Sequence, residues 1–420
     1  MSTSRPLKAK YLIETAYPLE QAAETLAGEQ SSGTFVKTPG ETPELKEKYG
    51  AVVENITVLE ERDQPSLPGT KFPQGEGKPI YRRATIDVAW PLENMGINLS
   101  NLMATVAGNL FELAPFSALR LLDVTIPKAY HEKYRGPKFG IEGTRRHCQV
   151  EERPIIGTII KPSVGLSPEA TARQVSTLID AGLDFIKDDE LMGDAPHSPF
   201  EERVDAVMEV INRYADKTGK KPMFAFNLSG DLDDMYRRHD YVLSKGGSCI
   251  MASLNWVGIS GMLKLSEHTQ LPIHGHRNGW GLYSRSEHIG IDFKVFHKIF
   301  SLAGADHIHT NGIRNKFCEP DESVLASIRA CLHPQGGGYR VVPVVSSGQW
   351  ADQAHDTYQQ IQSTDLMYLC GGGITGHPGG MAAGVKSIQL AWEGATQGKS
   401  IDDMQGQHPE LKQAIDFFRK

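Results

Sequence analysis

At Lys187, Asp189 and Glu190 an apolar run (Leu183, Phe185, Ile186) breaks into charge. If that run is a strand, side chains two residues apart share a face, so Lys187 and Asp189 point the same way. Glu190, where strand gives way to loop, can turn back toward the same point. Two carboxylates at a strand's end suit magnesium, a hard cation that takes oxygen ligands. A charged ammonium binds no metal. Lys187 joins such a site only as a free amine, or as the anionic carbamate formed when carbon dioxide adds to it. A solvated charged turn is the competing reading.

Other apolar runs end in the same manner. Lys161 closes the run from residue 155 and is a candidate general base, because burial and neighbouring positive charge lower an amine toward neutrality. A salt-bridged lysine on a rim is the alternative. His274-Gly-His276 sets two imidazoles on one strand face beside Arg277, a combination for moving protons and orienting a substrate. Such histidines also serve as hydrogen-bonded packing, and zinc lacks a third soft ligand at convincing spacing. Asn227, His309 and Ser346 end further runs. The stretch Gly371-Gly372-Gly373-Ile-Thr-Gly376-His-Pro-Gly-Gly380 follows the last candidate strand and opens a helix. Glycines let backbone N–H groups close on an anion, and a helix amino end adds partial positive charge. It reads as a phosphate loop, with Ser346-Ser347-Gly348 as a second wall, against the alternative of a flexible glycine loop.

The elements that must position these groups are legible as a rhythm. From residue 155 strand candidates (155–161, 183–187, 222–227, 249–253, 271–276, 306–310, 341–346, 366–370) alternate with helical stretches such as 201–215, 292–302 and 321–332. Ser167 is placed to cap a helix with Pro168 in its first turn and Gly182 just beyond its end. About eight such units in roughly 250 residues fit a (β/α)8 barrel, whose catalytic groups sit at the strands' carboxyl ends. An open doubly wound sheet is the runner-up, but no dinucleotide glycine fingerprint follows any strand. Upstream, strand (7–13), helix (19–27), strands (51–59 and 83–90), helix (98–107) and strand (119–126) follow the ferredoxin-like order. Residues 64–78 read as an exposed loop, and 127–154 as a basic connector. The expected domains are 1–138, ferredoxin-like α+β, and 139–420, the (β/α)8 TIM barrel.

Composition narrows the class. The 420 residues are 40% hydrophobic and 23% charged, with a net charge of -7, an ordinary soluble balance that invites neither nucleic acid nor acidic membranes. No apolar run approaches the roughly 18 residues of a membrane span, and the first residues lack a signal-peptide core. Five scattered cysteines without Cys-x-x-Cys spacing suggest reduced thiols in a cytoplasm.

Together these residues resemble the large subunit of ribulose-bisphosphate carboxylase (RuBisCO) across nearly the whole chain. Gly157-Thr-Ile-Ile-Lys161-Pro162 resembles that family's first barrel strand, and Gly182-Leu-Asp-Phe-Ile-Lys187-Asp-Asp189-Glu190 its metal motif. His274-x-His276-Arg277, Gly304-x-Asp306-His307-Ile308-His309 and the glycine run fall in family order, as do Glu29-x-x-x-Gly33-Thr34-Phe35 and Gly108-Asn109. The resemblance implies Mg2+ held by Lys187 as its carbamate with Asp189 and Glu190. It makes Lys161 the proton-transfer lysine and His276 a second acid/base group. Asn109 would lie near metal and substrate, Glu29 beside the mobile-loop lysine, and Lys316 would be that lysine. Arg277, His309 and Ser346 match one phosphate pocket; Thr34, Phe35, Gly348, Gly371 and Gly372 match the other. A homodimer with shared active sites is implied as well.

Departures from the carboxylase pattern steer the expected activity. Ser163 stands where the carboxylase has a second lysine, Asn315 replaces the glycine before the loop lysine, and the Leu-Glu-Gly after it is absent. The segment Met251-Ala-Ser-Leu-Asn255-Trp256 differs too. The chain is therefore identified as RuBisCO-like: an enolising enzyme, not a genuine carboxylase. The expected reaction is decarboxylation of a phosphorylated keto sugar acid of the 3-oxo-isoapionate 4-phosphate type through an enediolate. The alternatives are the methionine-salvage enolase acting on 2,3-diketo-5-methylthiopentyl 1-phosphate, and a non-catalytic binding protein. The polar groups for both substrate ends weigh against a thioether tail, which wants an apolar pocket.

Overall fold

The computed structural model describes residues 5–33, 38–74 and 77–419. The chain divides into two compact units: residues 1–135 with 279–299, and 136–278 with 300–420. In the first, β1 (Leu7–Thr15), β2 (Val52–Arg62), β3 (Tyr81–Trp90) and β4 (Phe116–Thr125) form an antiparallel sheet in the order β4-β1-β3-β2. With helices Leu19–Glu29 and Leu99–Val106 between them, this is the expected βαββαβ motif. The alternating apolar positions of β1 and β3 pack one face, with Leu7, Tyr11, Ile13, Ile86, Val88 and Trp90 fully buried.

In the second unit the chain lays down β5 (Ile155–Ile159), β6 (Phe185–Lys187), β7 (Met223–Asn227), β8 (Cys249–Ser253) and β9 (Ile273–His276). It then visits the first unit to add β10 (Ile289–Ile291) in parallel beside β4, a strand the sequence reading did not anticipate. It returns for β11 (His307–His309), β12 (Val342–Val345) and β13 (Met367–Leu369). These strands close a parallel barrel in the order β11-β12-β13-β5-β6-β7-β8-β9. The helix after β5 runs Pro168–Asp180, with Ser167 accepting the Ala170 N–H as its cap. Among the described residues no helix is long and apolar enough to cross a membrane.

The barrel interior explains why strand ends matter. Ile155, Phe185, Met223, Ala225, Cys249, Met251, Val342, Val344, Met367 and Leu369 meet in one apolar cluster. Gly157 makes room in it: a Cβ there would lie 2.4 Å from Leu369 Cδ2. The basic connector is more than a linker, because its helix Gly140–Cys148 places Ile141 and Cys148 in the same cluster. The amino half of the barrel is thus filled mainly with carbon, interrupted by His274 and His307, and the positions left at the carboxyl ends hold Lys187, Asn227, His276 and His309.

Candidate active site

Lys187 ends β6 level with Ile159 and Ala225 and is fully buried. Its Nζ donates to Asp188 O (2.6 Å) and lies 3.4 Å from Glu190 Oε2. The same Glu190 oxygen is 3.4 Å from His276 Nε2. Asp189, 1% exposed, accepts from Lys161 Nζ at 2.6 Å, and that ammonium also donates to Ser163 Oγ (2.8 Å). Two sets of contacts, Lys161 with Asp189 and Lys187 with Glu190 and His276, thus stand at the carboxyl ends of β5, β6 and β9, carried by the consecutive carboxylates Asp189 and Glu190.

Burial lowers the Lys187 amine against the opposing pull of Glu190 and Asp189. Burial also lowers His276, to about 4, so its ring is neutral near pH 7. The Asn278 N–H donates to His276 Nδ1 (3.2 Å), which leaves Nε2–H facing Glu190. Burial pushes the Glu190 carboxyl up, but the positive charge of His276 and Lys187 outweighs it and takes the group to about 2. The imidazole makes its share only when protonated, below its own pKa.

The loop that carries these carboxylates is braced from beneath. Asp188 faces away and meets Arg203 Nη2 at 3.3 Å, both side chains being at most 1% exposed. Arg203 further donates to the carbonyls of Met192, Gly193 and Ser198, and Asp188 accepts the Asn227 N–H. Asn227 Nδ2 in turn donates to Glu190 O (3.2 Å). The sequence reading singled out Asp188's neighbours but not this brace.

The donor set fits a hard divalent cation. Each carboxylate already faces a cation, Asp189 that of Lys161 and Glu190 that of Lys187. Burial shifts Lys187 toward its neutral amine, the form that adds carbon dioxide, and that addition would turn Lys187 into a third oxygen ligand. A different His–Asp–His group, His239, Asp240 and His268, also has metal-ligand spacing. There one Asp240 oxygen bridges His239 Nδ1 (2.9 Å) and His268 Nε2 (2.7 Å), a self-satisfied hydrogen-bonded cluster on the surrounding helices.

A line of imidazoles crosses the barrel interior. Thr144 Oγ1 donates to Gly140 O, so it must accept from His307 Nε2–H (2.8 Å). His307 Nδ1 then accepts from His274 Nδ1–H (3.3 Å), and His274 Nε2 accepts from His309 Nε2–H (2.8 Å). His309 Nδ1 accepts the Ser346 hydroxyl proton (3.1 Å). One threonine thus sets every tautomer in the row. Burial lowers His274, His307 and His309 alike, so all are neutral.

The two expected phosphate pockets differ. Arg277, 6% exposed, pairs with Glu319 (2.7 Å), which also accepts from Asn311 Nδ2 (2.7 Å). Glu319 stands 42 residues from Arg277 and carried no local signal in the sequence. On the other side, Gly371 and Gly372 open a short helix, Gly371–Thr375, directly after β13. The first N–H groups of a helix have no partner within it, and a Cβ built on Gly372 meets nothing within 4 Å. Room and donors coincide there. Gly348, with a φ of +86°, follows Ser347, itself held at +73°.

Among the described residues of the barrel unit, Lys316 is not hydrogen-bonded to this group. Lys316 is exposed, its Nζ 5.2 Å from the Phe317 ring centre and its N–H donated to Ser347 O (3.1 Å). Glu29 ends a helix and Asn109 opens a 3-10 turn in the first unit. Thr34 and Phe35 lie outside the described residues.

Barrel, appended βαββαβ unit and the lysine–carboxylate group define a class of protein, and comparison gives it a family. Residues 140–418 match the ribulose bisphosphate carboxylase large chain, catalytic domain, and residues 7–130 match its N-terminal domain. The chain belongs to the RuBisCO large-chain family, as a RuBisCO-like protein. It is 49% identical to the 3-oxo-isoapionate-4-phosphate transcarboxylase/hydrolase of Xanthobacter autotrophicus, over 99% of this chain and 100% of that one. It is 44% identical to the 3-oxo-isoapionate-4-phosphate decarboxylase of Rhizobium rhizogenes, over 97% of each. A crystal structure of a rubisco-like protein from Burkholderia fungorum superposes with a TM-score of 0.91 at 42% identity, covering 98% of this chain and 99% of that one.

Proposed function

We propose that this chain is a Mg2+-dependent lyase that decarboxylates 3-oxo-isoapionate 4-phosphate or a closely similar phosphorylated keto sugar acid through an enediolate. The observation that carries the reading is a buried amine set against two carboxylates at the mouth of a barrel. Relatives of nearly the same length are named for that substrate.

Lys187 as its carbamate, Asp189 and Glu190 would hold the magnesium, which supplies positive charge beside the substrate oxygens that become negative. The chain's own groups do the rest. The N–H groups of Gly371 and Gly372, with Gly348, Thr34 and Phe35, hold the phosphate and fix the reacting carbons over Lys161. As the bond to the carboxyl carbon breaks, its electron pair passes into the adjacent carbonyl and carbon dioxide leaves. Lys161, whose Nζ is positioned by Asp189 and Ser163, delivers a proton to the carbon left behind. His276, neutral and anchored to Glu190, is the second acid/base group. Ser163 and Asn315 in place of the carboxylase's lysine and glycine fit a site that does not add carbon dioxide to an enediolate. Glu29, Asn109, Thr34 and Phe35 of a second copy complete the site in a homodimer, with Lys316 on the mobile loop. Free cysteines suit a reducing cytoplasm.

A second reading has an observation of its own: the relative at 49% identity is named a transcarboxylase/hydrolase. Substrate carrying 13C in its carboxyl group separates the two. Decarboxylation puts the label into bicarbonate, whereas transcarboxylation keeps it in an organic product. Label that stays in unchanged substrate with wild type, as with Lys187→Ala, would end both.

A further inference from the structure

In the pocket made by Arg277, His309 and Ser346, the hydroxyl proton, the imidazole proton and the Nη2 end of the guanidinium are already committed. The Ser346 proton goes to His309 Nδ1, and His309 Nε2–H goes to His274. Ser347 Oγ donates to Asn311 Oδ1 (2.7 Å), and Asn311 Nδ2 donates to Glu319 Oε2 (2.7 Å). The same Glu319 oxygen takes Arg277 Nη2 at 2.7 Å. The Arg277 and Glu319 side chains are only 6% and 15% exposed, so solvent screens their charges poorly. Ser323 Oγ holds the second Glu319 oxygen (2.9 Å), and the Asn315 amide holds the Glu319 carbonyl (2.9 Å). The carboxylate is therefore fixed in place rather than swinging free.

A phosphate needs donors and net positive charge. Among the described residues of this pocket Arg277 is matched by Glu319, and the imidazole is neutral. A second dianion would sit against Glu319 and share its guanidinium. A hydroxyl needs only an acceptor, and the lone pairs of Ser346 Oγ provide one.

We propose that Glu319 makes this pocket a seat for the uncharged, hydroxyl-bearing end of the substrate, and so excludes molecules phosphorylated at both ends. The inference rests on the proposed site, with a single phosphate bound at the Gly371–Gly372 side. It assigns Glu319 as a specificity residue, a part it plays by occupying Arg277.

The test compares two probes by calorimetry with magnesium and bicarbonate present: D-ribitol 5-phosphate, with one phosphate and a hydroxyl at its other end, and D-ribitol 1,5-bisphosphate, with two. Wild type should favour the monophosphate at least tenfold. Glu319→Gln, which keeps the shape and removes the charge, should shift the ratio toward the bisphosphate by tenfold or more, and Glu319→Asp should restore the wild-type preference. A wild type that binds both probes equally, or a ratio that Glu319→Gln leaves unchanged, overturns the proposal. Failure of wild type to turn over 3-oxo-isoapionate 4-phosphate, with the ratio still shifted in Glu319→Gln, refutes the reaction and upholds the pocket assignment.

Discussion

Replacing Arg203 by methionine should cost far more than the loss of a surface charge. Arg203 and Asp188 are both sealed from solvent, 3.3 Å apart, and the arginine also ties down carbonyls of the loop that follows Glu190. Removing one partner of a buried pair leaves the other uncompensated, a loss of about 3–5 kcal/mol. Burial already raises the Asp188 carboxyl, and Arg203 opposes that rise. In Arg203→Met the carboxyl rises further, so the folded protein takes up a proton the unfolded chain does not hold. The deficit relative to wild type should therefore shrink as pH falls from 7 toward 5, by up to about 1.4 kcal/mol per unit. Urea denaturation at both pH values measures this, with Asp188→Asn and the double variant completing a cycle. The double variant should lose much less than the sum of the singles, with a coupling of about 2 kcal/mol. Additive losses, or a deficit identical at both pH values, would refute the brace.

Two further outcomes follow from the interior. Burial lowers His307 to about 3, so the folded state keeps it neutral while the unfolded chain protonates it near 6.5. Its contribution is present above that pH and is lost as pH falls toward 3, so His307→Asn should flatten the acid limb by about 1.4 kcal/mol per unit. Asp306, raised by burial to about 6, acts in the opposite sense in both proteins, and the difference between their stability–pH curves isolates the histidine. Parallel curves would contradict the assignment. At the glycine helix, Gly372→Ala puts a methyl into open space. Its Tm should hold or rise, since alanine favours a helix by up to about 1 kcal/mol, while KM for the phosphorylated substrate rises at least tenfold. An unchanged KM would remove Gly372 from the phosphate site.

What the sequence disclosed and what it hid divide along a physical line. Strand ends were legible because a buried parallel strand is apolar throughout, and Lys161, Lys187 and His276 stand out where the carbon stops. The helix after β5 was legible from Ser167, Pro168 and Gly182, since caps are local chemistry. The pairs that hold or tune the site were not. Asp188 with Arg203 and Arg277 with Glu319 join residues on different elements, and nothing in either neighbourhood names its partner. The tautomer of His309 depends on Thr144, which enters only once the barrel has closed. β10 escaped notice because a three-residue strand between helices has no periodicity to read.

Lys187 is the amine that takes up carbon dioxide in the proposed site. Carbon-13 NMR of the protein with labelled bicarbonate, with and without magnesium, observes that bond itself. A lysine carbamate resonance that strengthens with magnesium and vanishes in Lys187→Arg is the expected result. A resonance equal in both proteins, or none in a wild type that turns over its substrate, would contradict it.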